Sequence, residues 1–198
     1  MKLTRTQIQV LAFTFVLLVV GGWFAYQTIR GQAELAAGPQ FGGEFALTSA
    51  TGETFTQADL LGSPTMMFFG YTFCPDVCPT TLAEATSWRE ELGLSAEDMK
   101  IVFVSVDPAR DTPEKLETYL SAFGDIIGLT GTQAQVDVIK SGYGVYSEIS
   151  GDPSSSTYLV NHTASVYMLD SGGDFRGTIA YGEAREIALE KVERLAAR

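Results

Sequence analysis

The sequence predicts an α/β fold, a central mixed sheet flanked by helices, joined to one N-terminal transmembrane helix. Two observations predict the sheet and one predicts the anchor. Pro64–Phe69 and Ile101–Val106 are apolar runs of strand length, interrupted only by Thr65 and Ser105, and each is followed by a segment with helical spacing. Runs of this kind are what strands buried on both faces look like. The third observation is that Ile8 to Ile29 holds no charged residue in 22 positions. At about 1.5 Å per residue that is enough to cross a hydrocarbon core of about 30 Å.

Lys2 and Arg5 precede the uncharged run, and Trp23 and Tyr26 lie near its far end, where amphipathic rings favour the membrane interface. The positive flank stays cytoplasmic, so the rest of the chain is expected on the opposite side. A cleaved signal peptide is the alternative, with Leu11 to Val20 as its apolar core and Ala33–Ala37 as a weak cleavage site. Either way the domain is exported. Gly31 to Gly43 is small and Gly-rich and reads as a tether. The expected division is therefore 1–40 for anchor and tether and 41–198 for one folded domain, in keeping with 198 residues of 45% apolar composition.

Within that domain, Phe45–Leu47 and Glu53–Phe55 read as a short hairpin around Ser49–Gly52. Pro64–Phe69 is the first core strand. From Pro79, with proline suited to a helix start, Leu82, Ala85, Trp88, Arg89 and Leu92 follow at helical spacing up to Gly93. Ile101–Val106 is the second core strand. Thr112 caps a helix with Pro113 at its first position, running through about Phe123. Ile126–Leu129 is a short strand, and Thr132 caps a helix with Val136, Ile139 and Tyr143 on one side. Val145–Ile149 and Thr157–Val160 read as a pair of strands. Ala164–Leu169 and Phe175–Ala180 form a hairpin around Asp170–Gly173, and an amphipathic helix runs from Glu183 to the end.

The net charge of −11 argues against nucleic acid and against an anionic membrane surface as partners, since both require clustered lysine and arginine.

The chain contains two cysteines and one histidine. Cys74 and Cys78 stand four apart, between the first core strand and the helix near Pro79. That placement fits a thioredoxin-like site, where the positive end of a helix dipole favours the thiolate. The spacing alone leaves open a structural or redox-active disulfide and a shared metal ion. His162, just before the terminal hairpin, tips the balance toward metal. In thioredoxin-like folds the loop leading into that hairpin faces the cysteine loop, and dedicated oxidoreductases usually carry a cis-proline there. None of the seven prolines follows Pro153. Thiolate and imidazole together suit soft or borderline metals, Cu(I) above all. Zinc fits by ligand type, but a closed structural site usually takes four protein ligands.

The segment Gly70-Tyr-Thr-Phe-Cys74-Pro-Asp-Val-Cys78-Pro-Thr-Thr-Leu82 resembles the signature of the SCO/SenC family of copper-binding, thioredoxin-like proteins. Val104–Pro113, Gly128–Gly131 and Val160–His162 follow in the family's order. The resemblance spans about Gly42 to Ala180. It implies an anchored protein facing the periplasm, or the intermembrane space if mitochondrial. It further implies one copper per chain held by Cys74, Cys78 and His162, and a role in maturing the CuA centre of cytochrome c oxidase, whose copper-receiving subunit would be the partner. There the protein would act as a metallochaperone rather than as an enzyme. A thiol–disulfide reductase using Cys74 and Cys78 and a redox or copper sensor are the alternatives. The chain departs from the family at Phe73, where many members have histidine, and at Ser63, where lysine is common. Asp76, between the cysteines, and Asp107, Arg110 and Asp111, after the second core strand, are read as accessory, loop-ordering or partner-facing residues. Tyr71 and Phe73 are expected to limit water access to the sulfurs, and Met66, Met67 and Met168 to be core.

Overall fold

A computed structural model describes Arg5, Thr14, Phe15 and residues 17–27 and 41–197. The chain divides into two units, residues 1–40 and 41–198. In the first, the described residues are helical, and large apolar side chains such as Leu18 and Phe24 are exposed. Among the described residues no helix is long and apolar enough to cross a membrane. The described residues 17–27 cover about half of the uncharged run Ile8–Ile29. The remainder of Ile8–Ile29, and the tether up to Gln40, lie outside the described residues.

The second unit is built on a seven-stranded mixed sheet. Its strands are β1 (Ala46–Ser49), β2 (Thr54–Thr56), β3 (Thr65–Gly70), β4 (Lys100–Ser105), β5 (Ile127–Thr130), β8 (Ser165–Leu169) and β9 (Phe175–Ala180), in the order β2-β1-β5-β4-β3-β8-β9. β3, β4 and β5 run parallel, and the flanking strands are antiparallel. All six residues of β3 are buried, so the sheet is covered on both faces at its centre. Met66, Met67, Phe68, Phe69 and Phe103 fill that core, with Met168 beside them.

Four helices complete the layers: α1 (Val77–Glu91), α2 (Pro113–Leu120), α3 (Gln133–Gly142) and α4 (Arg185–Ala196). The expected caps are present at two of them. Thr112 Oγ1 accepts from the Lys115 amide, and Thr132 forms a capping box with Gln135.

α1 begins two residues before the start read from Pro79, so Cys78 lies inside its first turn. Asp76 stands at the N-cap, and the first backbone bond runs from the Thr80 amide to the Asp76 carbonyl. Pro79 therefore occupies a first-turn position whose N–H would have had no intrahelical partner.

Two strands stand apart from the main sheet. β6 (Ser147–Ser150) and β7 (Leu159–His162) pair antiparallel as a two-stranded ribbon, with His162 opposite Ser147. His162 thus ends a strand, and the loop to β8 begins after it.

Candidate metal centre

Two loops leave the carboxyl ends of neighbouring parallel strands, where sites collect in open α/β sheets. Gly70 and Ser105 are register partners at those ends. After Gly70 comes the cysteine segment, and after Ser105 comes the loop holding Asp107, Arg110 and Asp111. The Val106 amide donates to the Gly70 carbonyl at 2.8 Å, tying the two exits together.

Gly70 is required by close approach. A Cβ there would lie 2.7 Å from the Phe103 ring and 2.9 Å from Cys78 Sγ. The absent side chain is the space into which the sulfur packs. Beyond it the chain turns, the Cys74 amide donating to the Tyr71 carbonyl at 3.2 Å, and α1 begins.

Cys74 is half-buried and Cys78 fully buried, and both are free thiols. The Cys78 amide donates to Cys74 Sγ at 3.4 Å, so this sulfur sits where the helix offers its unpaired N–H groups. The Cys78 thiol beside it and the amides of Cys78 and Asp76 hold Cys74 far below the ordinary thiol range, at about 3, against the opposing effect of burial. Cys78 is pushed up, first by the Cys74 sulfur next to it and then by its own burial. The amide on Cys74 Sγ and the smaller burial of that residue make it the sulfur that favours the thiolate.

His162 Nε2 lies 3.5 Å from Cys78 Sγ. Its Nδ1 lies 3.0 Å from the Thr163 carbonyl. A carbonyl can only accept, so the neutral ring carries its proton on Nδ1 and turns the Nε2 lone pair toward the sulfurs. Phe68 and Tyr71 meet the imidazole edge-on, each with centroids 5.9 Å away. The ligand atoms of Cys74, Cys78 and His162 all lie within 4.8 Å of one another. Two sulfurs on one ion stand up to about 4.6 Å apart at metal–sulfur distances of about 2.3 Å. Small side-chain adjustments therefore let one ion reach all three.

The other candidates separate by burial. Asp111 is fully buried and accepts from the Thr72 amide (3.1 Å), the Thr72 hydroxyl (2.6 Å) and the Ser105 hydroxyl (2.6 Å). Asp107, also buried, accepts from Arg110 Nε at 2.5 Å and the Tyr158 hydroxyl at 2.7 Å. These two carboxylates order the loop, and their burial removes them as partner-facing groups. Asp76 is exposed beside the cysteines. Tyr71 is buried against His162 as expected of a group that excludes water. Phe73 is 47% exposed with the Arg110 guanidinium 4.9 Å over its ring, so it covers the arginine rather than sealing the sulfurs.

The sequence reading did not find Thr72, Gly70 or the Thr163 carbonyl. Only Gly70 left a signal, a glycine ending an apolar strand, which often marks close approach of another group.

The SCO1/SenC family model matches residues 33–197. A SCO2-like protein of Rickettsia felis is 32% identical over 185 residues, 88% of this chain and 90% of the relative. Protein SenC of Rhodobacter capsulatus is 39% identical over 138 residues, 68% of this chain and 61% of the relative. The copper-bound structure of ScoI from Bradyrhizobium japonicum superposes with a TM-score of 0.71 at 37% identity, covering 78% of this chain and 99% of that one. The chain belongs to the SCO1/SenC family, and its fold is thioredoxin-like.

Proposed function

We propose that this chain is a membrane-anchored copper metallochaperone that holds one copper ion through Cys74, Cys78 and His162. It delivers that ion to the copper-receiving subunit of cytochrome c oxidase during assembly of the CuA centre. The observation that carries the reading is the convergence of two sulfurs and one imidazole on a single point, with Nε2 unprotonated and aimed at Cys78. Two thiolates and an imidazole suit Cu(I), and a fourth, weaker ligand or water completes a site for Cu(II). The relative of known structure with copper bound supports the choice of metal.

Delivery by ligand exchange follows from unequal burial. Cys78 is sealed while Cys74 and His162 are half-exposed, so a recipient's ligands approach from their side. The exposed Asp76 is the acidic group best placed to meet that recipient. Residues 1–40 serve as anchor and tether, supported by the uncharged run Ile8–Ile29 and the exposed apolar side chains of its described part. Residues 41–198 then work outside the cytoplasm.

A second reading, a thiol–disulfide reductase acting on the recipient's cysteines, is favoured by the thiolate at Cys74. It is weakened by the same fact, because nucleophilicity falls as thiol pKa falls. The two readings part at His162. Copper titration of the reduced, detergent-solubilised full chain should give one equivalent bound tightly, lost in Cys74→Ser/Cys78→Ser and much weakened in His162→Ala. Equal and poor copper binding by wild type and His162→Ala, with equal reduction of a disulfide substrate, would replace the chaperone by the reductase.

A further inference from the structure

The cysteines and the histidine are carried by separate pieces of backbone, and one short loop holds both. Asp111 grips the cysteine side through Thr72, two residues before Cys74. On the histidine side, Arg110 Nη1 donates to the carbonyls of Tyr158 (2.9 Å) and Ser156 (3.2 Å). Its guanidinium lies 3.5 Å from the centre of the Tyr158 ring. Asp107 binds Arg110 Nε through one oxygen and the Tyr158 hydroxyl through the other. Tyr158 is buried and immediately precedes β7, the strand that ends at His162. Four residues on, His162 is held in register opposite Ser147 of β6, and its ring is held by the Thr163 carbonyl, Phe68 and Tyr71.

We propose that Asp107 and Arg110 are positioning residues that set the reach of His162 to the two sulfurs, by tying the start of β7 to the loop whose Asp111 holds the cysteine segment. The consequence for copper rests on the ligand role proposed above for His162, but the positioning itself does not. The arrangement needs a planar fork. Nε serves Asp107, Nη1 serves two carbonyls and the flat face lies on Tyr158, while Nη2 is left buried without a hydrogen-bond partner. An ammonium at this position can neither bridge the same partners nor stack. The β6–β7 ribbon has no pairing with the main sheet, so the clamp shares the work of placing β7 with the hydrogen bond between Tyr71 and the Val160 backbone and the ring contacts at His162.

His162 is the chain's sole histidine, and its imidazole therefore gives a single set of nitrogen and carbon resonances. In the metal-free, reduced full chain, wild type should show one tautomer, protonated on Nδ1. Arg110→Lys should broaden or shift those resonances toward tautomer averaging, while the amides of 74–78, held through Asp111, stay in place. Tyr158→Phe, which removes only the hydroxyl held by Asp107, should give a smaller shift of the same kind. It decides the matter if the lysine variant does not fold. Unchanged imidazole resonances in both variants would overturn the proposal whatever the metal chemistry. A copper titration supplies the functional arm. Losing a hydrogen-bond partner of a metal ligand costs about 10- to 100-fold in affinity; Arg110 acts on His162 at one remove, so Arg110→Lys should cost about 10-fold, the low end of that range, in wild type and less than about twofold in His162→Ala. An equal loss in both backgrounds would mean that Arg110 acts on the cysteines or on overall stability, which also overturns the proposal. Should His162→Ala itself bind copper like wild type, the ligand reading fails, and the resonance test still decides the positioning.

Discussion

β3 buries all six of its residues, whereas β6 buries none of its four and β7 buries only Val160. The cysteine segment grows out of the first of these regions and His162 out of the second. On the cysteine side, position is over-determined. Gly70 leaves room for Cys78 Sγ, Asp111 holds Thr72, and the start of α1 meets Cys74 Sγ. The ribbon is an isolated two-stranded pair, a structure marginal in water without further support. It depends on its own ladder, on Val160, on the hydrogen bond between Tyr71 and the Val160 backbone and on the clamp at Tyr158. The contrast separates a preset thiolate pair from a third ligand whose placement depends on a few contacts.

Removing the preset part should have the largest effect. Cys74→Ser/Cys78→Ser should abolish tight copper binding, a loss beyond the 10- to 100-fold typical of an outer partner of a ligand (about that range), as read by competition with a chelator of known affinity. Hydrogen exchange should display the contrast directly. Amides in the β3–β4 ladder should exchange only through global opening, and those of Glu148–Asn161 orders of magnitude faster through local opening. Equal protection in the two ladders would refute the division.

Gly70→Ala tests the packing on the cysteine side. The added Cβ meets the Phe103 ring and Cys78 Sγ at under 3 Å. The expected cost is about 1–3 kcal/mol in urea unfolding, the usual price of overpacking a core, with weakened copper binding because Cys78 must move.

Asp111→Asn should cost a similar or smaller amount, about 1–3 kcal/mol, by leaving buried donors of Thr72 and Ser105 short of acceptors. It carries a pH signature as well. Burial raises the Asp111 carboxyl above its ordinary range, against the lowering effect of the Ser105 and Thr72 hydrogen bonds. A raised folded-state value means that the charged form is penalised in the fold. Wild type should therefore gain stability relative to the variant as pH falls through that value toward the unfolded value of about 3.9. A difference between the two proteins that does not change with pH would contradict the assignment.

The smallest effect is expected on the ribbon's exposed side. Leu159→Ser, at an exposed position that pairs with Ser150, should stay within about 0.5 kcal/mol of wild type and leave copper binding unchanged.

The cysteine side was also the more legible half of the sequence. The apolar run Pro64–Phe69, the Thr112-Pro113 and Thr132 caps and the turn at Asp170–Gly173 are local signals, and the elements appear where those signals lie. The pairing of the three candidate ligands was legible because so few soft donors exist in the chain. The start of α1 was misplaced by two residues because Pro79 looks like a first helical residue, although it is equally free of penalty later in the first turn. The Asp107–Arg110–Tyr158 clamp was beyond reach. Its partners are 48 to 51 positions apart, and no local pattern encodes such a meeting. Asp107 and Asp111 read only as loop-ordering or partner-facing residues for the same reason, since the fold alone shows that Thr72, Ser105 and Tyr158 satisfy them inside.

The most direct test of the central claim is X-ray absorption at the copper edge on the reduced full chain loaded with one equivalent of Cu(I), compared with His162→Ala. The account predicts two sulfur neighbours near 2.3 Å and one imidazole nitrogen near 2.0 Å, values that are about those of thiolate and imidazole on a comparable ion, with the nitrogen lost in the variant. Identical spectra for the two proteins, or a wild-type site without nitrogen, would contradict it.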